Sequence, residues 1–126
     1  LPPVTLHDLS ATIWAEGRGE SFCGQIAIGL VARNRLEQDP ERWGRSISQV
    51  VRKPKQFSVW NTKRRRALLE RLNDSDPAFP TARLAAALVL SGYPDFTGGA
   101  VYFHSGRSRS QHGFRLGNHH FRAEGR

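Results

Sequence analysis

The stretch Ile13-Trp14-Ala15-Glu16-Gly17-Arg18-Gly19-Glu20 decides how this chain is read. Leu6, Leu9, Ile13 and Trp14 run into it at helical spacing, and Phe22, Ile26, Leu30 and Val31 run out of it in the same way. Between the two runs, glycines flank Arg18. Glycine escapes the steric penalty on positive φ, so Gly17 and Gly19 are expected to form the corner between two packed helices. Glu16 then falls at the C-terminal end of the first helix, where unpaired carbonyls carry partial negative charge. A carboxyl held there against Trp14 and other apolar groups should have a raised pKa, because like charge and desolvation both disfavour the anion. A carboxyl that keeps its proton near neutral pH is what a glycosidase needs to protonate a leaving oxygen. Glu20 lies near the start of the second helix, which stabilises the charged form, so the two glutamates are expected to differ in protonation. The competing reading, two surface glutamates at a helix turn, is weighed against the rest of the chain.

The 126 residues suffice for one compact domain, residues 1–126, and 38% of them are apolar, which argues against disorder. No apolar run approaches the roughly 18 residues of a bilayer span. The start, Leu1-Pro2-Pro3-Val4, has no basic residue ahead of an apolar run, so no signal peptide is read there. It is not an initiating methionine either, so a targeting segment removed upstream stays open. Cys23 is the single cysteine, which excludes an internal disulfide and a cysteine-based zinc site. It is expected to be a small buried apolar residue. The formal charge of +8 favours a polyanionic partner, either nucleic acid or a surface such as the bacterial cell wall.

Along the chain, Thr5-Leu6-His7-Asp8 fits a capping box opening a helix to about Ala15 or Glu16. A second helix is expected from Ser21 to Leu36. Gly24 and Gly29 weaken it by about 1 kcal/mol each relative to alanine, which suggests close approach of a neighbour. Gln25, Arg33 and Asn34 put polar groups on this otherwise apolar helix, and Asn34-Arg35 could reach the loop after Glu16. Gln38 to Arg45 reads as a loop pinned by Trp43. Ser46 caps a short helix carrying Ile47, Val50 and Val51, which Lys53-Pro54 ends. Lys55 to Asn61 is an irregular segment of aromatics and hydrogen-bonding groups, suited to the apolar faces and polar rims of sugar rings. Lys63-Arg64-Arg65-Arg66 opens an amphipathic helix to about Asn73, and cations in a first turn oppose the helix dipole. A helix from Thr81 to Ser91, stopped by Gly92, is expected to be the central buried one. Strands are expected at Ala100–His104, Phe114–Leu116 and His119–Arg122. Ser105 to Gln111 reads as a polar, basic and mobile link.

His104, His112, His119 and His120 raise the question of a metal. No HExxH or similar spacing is present, and adjacent His119 and His120 would face opposite sides of a strand. No metal and no cofactor is therefore expected. Nucleic acid is disfavoured, because the basic residues are scattered and no helix-turn-helix, RNP or zinc-finger pattern is present.

Several segments together resemble the spore-cortex-lytic (SleB-like) cell wall hydrolases. The resemblance rests on Trp14-Ala15-Glu16-Gly17-Arg18-Gly19-Glu20, then Gly24-Gln25-Ile26-Ala27 and Asn34-Arg35. It continues with Val50-Val51, Gln56-Phe57-Ser58, Asp95-Phe96-Thr97-Gly98-Gly99-Ala100-Val101-Tyr102-Phe103, and Gly117-Asn118-His119-His120-Phe121. These motifs span nearly the whole chain in the family's order. Gly17 stands where the family has alanine, Ser105 to Phe114 lacks the family's tryptophan, and Asn61 to Arg66 is unusually basic.

The resemblance implies an α+β, lysozyme-like fold, mainly helical with a small antiparallel sheet near the C-terminus. It implies cleavage of the bond between N-acetylmuramic acid and N-acetylglucosamine in peptidoglycan, by hydrolysis or by lytic transglycosylation. Glu16 matches the catalytic glutamate. Gln56, Ser58 and Tyr102 are the expected sugar contacts. Glu20, Gln25, Asn34 and His119 are expected to be structural near the site, with Glu20 pairing with Arg18 or Arg35 or accepting backbone N–H groups at the helix start. The partners are then peptidoglycan glycan strands and the anionic wall, met by a monomer in a periplasmic, spore, secreted or phage-borne setting. A non-enzymatic basic domain that binds wall or nucleic acid is the alternative.

Overall fold

The computed structural model describes residues 3–105 and 113–124. Helices α1 (Pro3–Gly17) and α2 (Phe22–Gln38) are followed by two short helices, α3 (Pro40–Trp43) and α4 (Ile47–Arg52). A 3₁₀ turn at Ser58–Trp60 leads into α5 (Lys63–Glu70), and α6 (Phe79–Leu90) closes the helical part. Strands β1 (Tyr102–Ser105), β2 (Phe114–Leu116) and β3 (His119–Arg122) form an antiparallel sheet in the order β1-β3-β2. The register pairs Phe103 with Phe121 and Phe114 with Phe121, so three aromatic rings meet on one face. Elements and sheet follow the sequence expectation closely. From residue 106 on, the link expected over Ser105 to Gln111 lies outside the described residues, as does His112.

The central helix is α2 rather than α6. Every residue from Gly24 to Ala32 is buried, so α2 has no solvent stripe of its own. In α6, by contrast, Leu84 is 55% exposed. Gly29 explains how α2 reaches the centre. A Cβ there would lie 2.9 Å from Val89 Cγ2 and 3.1 Å from Ile13 Cδ1, so glycine lets α6 and α1 pack directly on the α2 backbone.

At the start of α1, the helix begins at Pro3 and Thr5 lies inside it, so the capping box does not form. Asp8 has a different task. It is 1% exposed and takes two hydrogen bonds from Arg52 of α4, at 2.9 and 2.8 Å. Burying a carboxylate is costly unless it is paired, and this forked pair supplies both charge and hydrogen bonds. Nearby, Trp60 Nε1 donates to Thr12 Oγ1 at 2.8 Å, which ties the 3₁₀ turn to α1.

The caps of the other helices follow local rules. Ser21, Ser46 and Thr62 each accept a backbone N–H of the first turn, opening α2, α4 and α5. Asp39 does the same for α3, a short helix within the segment expected to be a loop, with Trp43 buried as its anchor. Cys23 lies exposed in the first turn of α2, contrary to the expected burial. The first turn of α2 projects past the edge of the core that buries Gly24 onward.

Candidate active site

The corner between α1 and α2 is built differently from the sequence expectation. Neither Gly17 nor Gly19 is among the glycines with positive φ. Gly17 is the last residue of α1, and the Glu20 N–H donates to its carbonyl at 2.9 Å. Its lack of a side chain serves packing: a Cβ there would lie 2.6 Å from Ile28 Cδ1. Where alanine stands in the resembling family, Ile28 fills the space here.

Glu16, half-buried, therefore projects from the last turn of α1 into a cleft of about 620 Å³. Ala15, Gly19 and Glu20 form its α1–α2 side, with Arg35 from α2. Gln56 and Ser58 line it from the segment before α5. Phe103, His104 and Ser105 of β1, with Asn118 and His119, form the sheet side. Another hollow, of about 580 Å³, is walled by Leu6, Leu72 and Phe79. Its carboxylate, Asp74, is paired with Arg83, whose hydrogen bonds hold its pKa down, so that carboxyl is no proton donor near neutral pH.

Burial raises the pKa of Glu16, and the positive charges of Arg65 and Arg35 partly oppose that rise. The direction agrees with the sequence reading, but the neighbours differ. Trp14 does not line the cleft. Its Nε1 donates to Asp76 at 3.0 Å and Arg18 stacks on its ring at 4.2 Å. Two residues along a helix turn the side chain through about 200°, so Trp14 and Glu16 cannot share a face. Ala15 and Phe103 supply the apolar contribution instead.

Glu20 pairs with neither Arg18 nor Arg35. His119 Nδ1 lies 2.8 Å from Glu20 Oε1, and the Asn118 N–H donates to the same oxygen at 3.0 Å. Glu20 thus fastens the start of β3 to the α1–α2 turn. Gly117, at φ +60°, makes this possible, since a Cβ there would run into Glu20 Oε2. Gln25 supports the turn from below, with its Nε2 donating to the Glu20 carbonyl at 3.2 Å.

Asn34 does not reach the loop after Glu16. Its side-chain amide donates to Ala100 O at 3.0 Å and to Thr97 Oγ1 and Asp95 Oδ2, both at 3.3 Å. Asp95 in turn accepts from the N–H groups of Thr97 and Gly99, at 2.8 and 2.9 Å. Gly98 and Gly99 take φ of +68° and +77° to close this knot. The Asp-x-Thr-Gly-Gly segment is therefore a hydrogen-bonded anchor that delivers β1 to the cleft.

Tyr102 lies outside the cleft lining. Its hydroxyl donates to Glu124 at 2.9 Å and accepts from Arg42 at 2.8 Å. The structure thus brings together Glu16, Glu20, Gln56, Ser58 and His119, and sets Gln25, Asn34 and Tyr102 behind or outside. Arg35, His104 and Asn118 complete the walls and were not singled out as cleft residues from sequence. Arg35 carried a signal in its place on a helix otherwise buried all round. Among the described residues no cluster of three or more histidine, cysteine or carboxylate side chains could hold a metal.

A carboxyl at the end of a helix, facing a cleft whose far wall is a small antiparallel sheet, defines a protein of the lysozyme-like class. The structure matches the catalytic domain of the germination-specific lytic transglycosylase SleB from Bacillus anthracis with a TM-score of 0.70, over 96% of this chain and 95% of that one. At 21% identity, this likeness concerns the fold. The model of the cell wall hydrolase family matches residues 19–122, and the chain belongs to that family: it is an enzyme that acts on peptidoglycan. The matched span begins just beyond Glu16. A comparison with curated proteins gives no match. No helix of the described residues is long and apolar enough to cross a membrane.

Proposed function

We propose that the chain is a lytic transglycosylase that cuts the bond between N-acetylmuramic acid and N-acetylglucosamine, with Glu16 as acid and then base. The protonated carboxyl gives its proton to the glycosidic oxygen as the C–O bond breaks and positive charge develops at the sugar carbon. The carboxylate left behind takes the proton from the sugar's own 6-hydroxyl, whose oxygen closes on that carbon as a 1,6-anhydro ring. Atoms and charge balance without a second carboxylate.

The observation that carries this reading is the asymmetry of the two cleft glutamates. Glu16 is pushed toward its protonated form by burial. Glu20 is committed to His119 and the Asn118 N–H, and so is poorly placed to aim a water molecule or attack a sugar. Inversion or retention by hydrolysis would need that second group. Gln56 and Ser58, exposed along the cleft, are placed to bond sugar hydroxyls and N-acetyl groups. The charge of +8 would favour adhesion to an anionic wall.

Mass spectrometry of products from purified peptidoglycan tests the reading. Anhydro-muramyl ends are expected. Reducing muramic ends would make the enzyme a hydrolase, and severed peptides would overturn glycan cleavage altogether. Glu16→Gln should keep the fold and lose activity by about 10²-fold or more, the scale of general acid–base catalysis.

A further inference from the structure

Arg35 is an unusual wall for this cleft. It is 4% exposed, yet among the described residues it forms no ion pair with a carboxylate. Its Nε donates to Val101 O at 2.7 Å, and its Nη1 is buried without a hydrogen-bond partner. The rings of Phe57, Trp43 and Tyr102 surround the guanidinium, with centroids at 4.9, 5.4 and 5.9 Å. Aromatic faces attract the cation but do not supply the hydrogen bonds that its buried Nη1 lacks. Burial accordingly lowers the pKa of Arg35 to about 10, against the pull of Tyr102 and Glu16. The side chain stays charged at neutral pH. A fold that keeps a buried cation beside a half-buried carboxyl, without letting a carboxylate neutralise it, holds that charge in reserve.

The geometry points to Arg35 as the counter-charge of Glu16: a positioning residue that stabilises the carboxylate present after the proton has gone to the leaving oxygen. This rests on the reading of Glu16 given above and adds to it. Burial alone would make Glu16 a willing donor but would penalise the anion that the second half of the reaction requires. A fixed cation in a water-poor wall offsets that penalty just as the anion forms, and needs no rearrangement to do so. The other charged or titratable groups around Glu16 do not replace it. Glu20 and His119 are bound to each other, and His104 lies 3.4 Å from His120. Arg65, from the exposed first turn of α5, acts on Glu16 in the same sense and more strongly, but it is solvated and does not line the cleft, whereas Arg35 is fixed in the buried wall. Arg18 is stacked on Trp14 outside the cleft.

The test is Arg35→Met, with Arg35→Lys as the charge-conserving control. Methionine fits an aromatic cage, and apolar replacement of a buried charge is commonly tolerated. Two readouts are taken: the basic limb of the pH profile of kcat/KM, and the ¹³C titration of the Glu16 carboxyl in substrate-free enzyme. Arg35→Met is expected to move both to higher pH and to lower kcat about tenfold or more, within the range for lost electrostatic stabilisation. Arg35→Lys should keep both near the wild-type position and retain most of kcat. A folded Arg35→Met whose Glu16 titrates as in wild type overturns the proposal, even if Glu16→Gln is inactive. Should Arg35→Met not fold, Arg35→Lys decides: a limb displaced upward, or turnover lost in the folded protein, overturns it equally.

Discussion

His119 Nδ1 and Glu20 Oε1, 99 residues apart in sequence, meet at 2.8 Å and close one side of the cleft that holds Glu16. The pair is well sheltered, with side-chain exposures of 10% and 7%. Its partners come from the α1–α2 turn and from β3, so it joins the two walls that substrate must lie between. A double-mutant cycle with Glu20→Gln and His119→Ala should show a coupling of about 0.5–3 kcal/mol in denaturant unfolding, as for partners in one network. Strict additivity would show that the contact does not bind sheet to helix.

Gly117→Ala should be more damaging than an exposed glycine substitution normally is. The residue sits at φ +60° and a Cβ would collide with Glu20 Oε2. The expected loss is about 1–3 kcal/mol of stability, with a fall in wall-degrading activity as Glu20 is displaced. Gly19→Ala, with open space around its Cβ position, serves as the comparison. Equal unfolding midpoints for the two would refute the packing argument.

The raised pKa of Glu16 has a sign in stability as well as in the proposed proton transfer. Burial lifts it above the ordinary 4.5, so the folded state binds this proton more readily than the unfolded one. Its contribution is therefore fully present below the ordinary value and is lost as pH rises through the folded value. Glu16→Gln abolishes the cost of the buried anion. The variant should melt at higher temperature than wild type at neutral pH, with the gap narrowing as pH falls through the raised folded value toward 4.5 and changing no further below it. Calorimetry over this range checks it, and a variant less stable at neutral pH would contradict the burial argument.

Asn34→Ala should cost about 1–3 kcal/mol, because it leaves the buried Ala100 carbonyl without the amide that faces it. Hydrogen exchange should rise first in residues 95–101 and then in β1, before α1 or α2 is affected. Uniform loosening of the whole chain would show that the knot is not a local anchor.

Much of this was legible in the sequence, for identifiable reasons. Helical periodicity locates α1, α2 and α5, and the Ser46 cap locates α4, within a few residues, since those signals are local. The position of Glu16 at a helix end follows from its neighbours in the chain, whereas the burial that raises its pKa is supplied by remote segments. What escaped was set by distance or by direction. The partner of Glu20 lies on β3, and no local pattern announces it. Trp14 was placed beside Glu16 although two helical residues diverge. Asp8 resembled the third residue of a capping box, whereas Arg52 from α4 claims it. Asn34 was assigned to the nearer loop, though its amide matches the acceptors presented by Asp95, Thr97 and Ala100. Gly29 allows the close approach that its place in a helix suggested, whereas Gly17 serves packing against Ile28 rather than a left-handed turn.

The sheet is attached at both ends of α2. Glu20, just ahead of that helix, grips Asn118 and His119, while Asn34 and Arg35 near its far end grip Ala100 and Val101. A wall pinned at two places along one rod cannot swing like a jaw. The aperture is therefore expected to act as a fixed slot that receives peptidoglycan without closing on it.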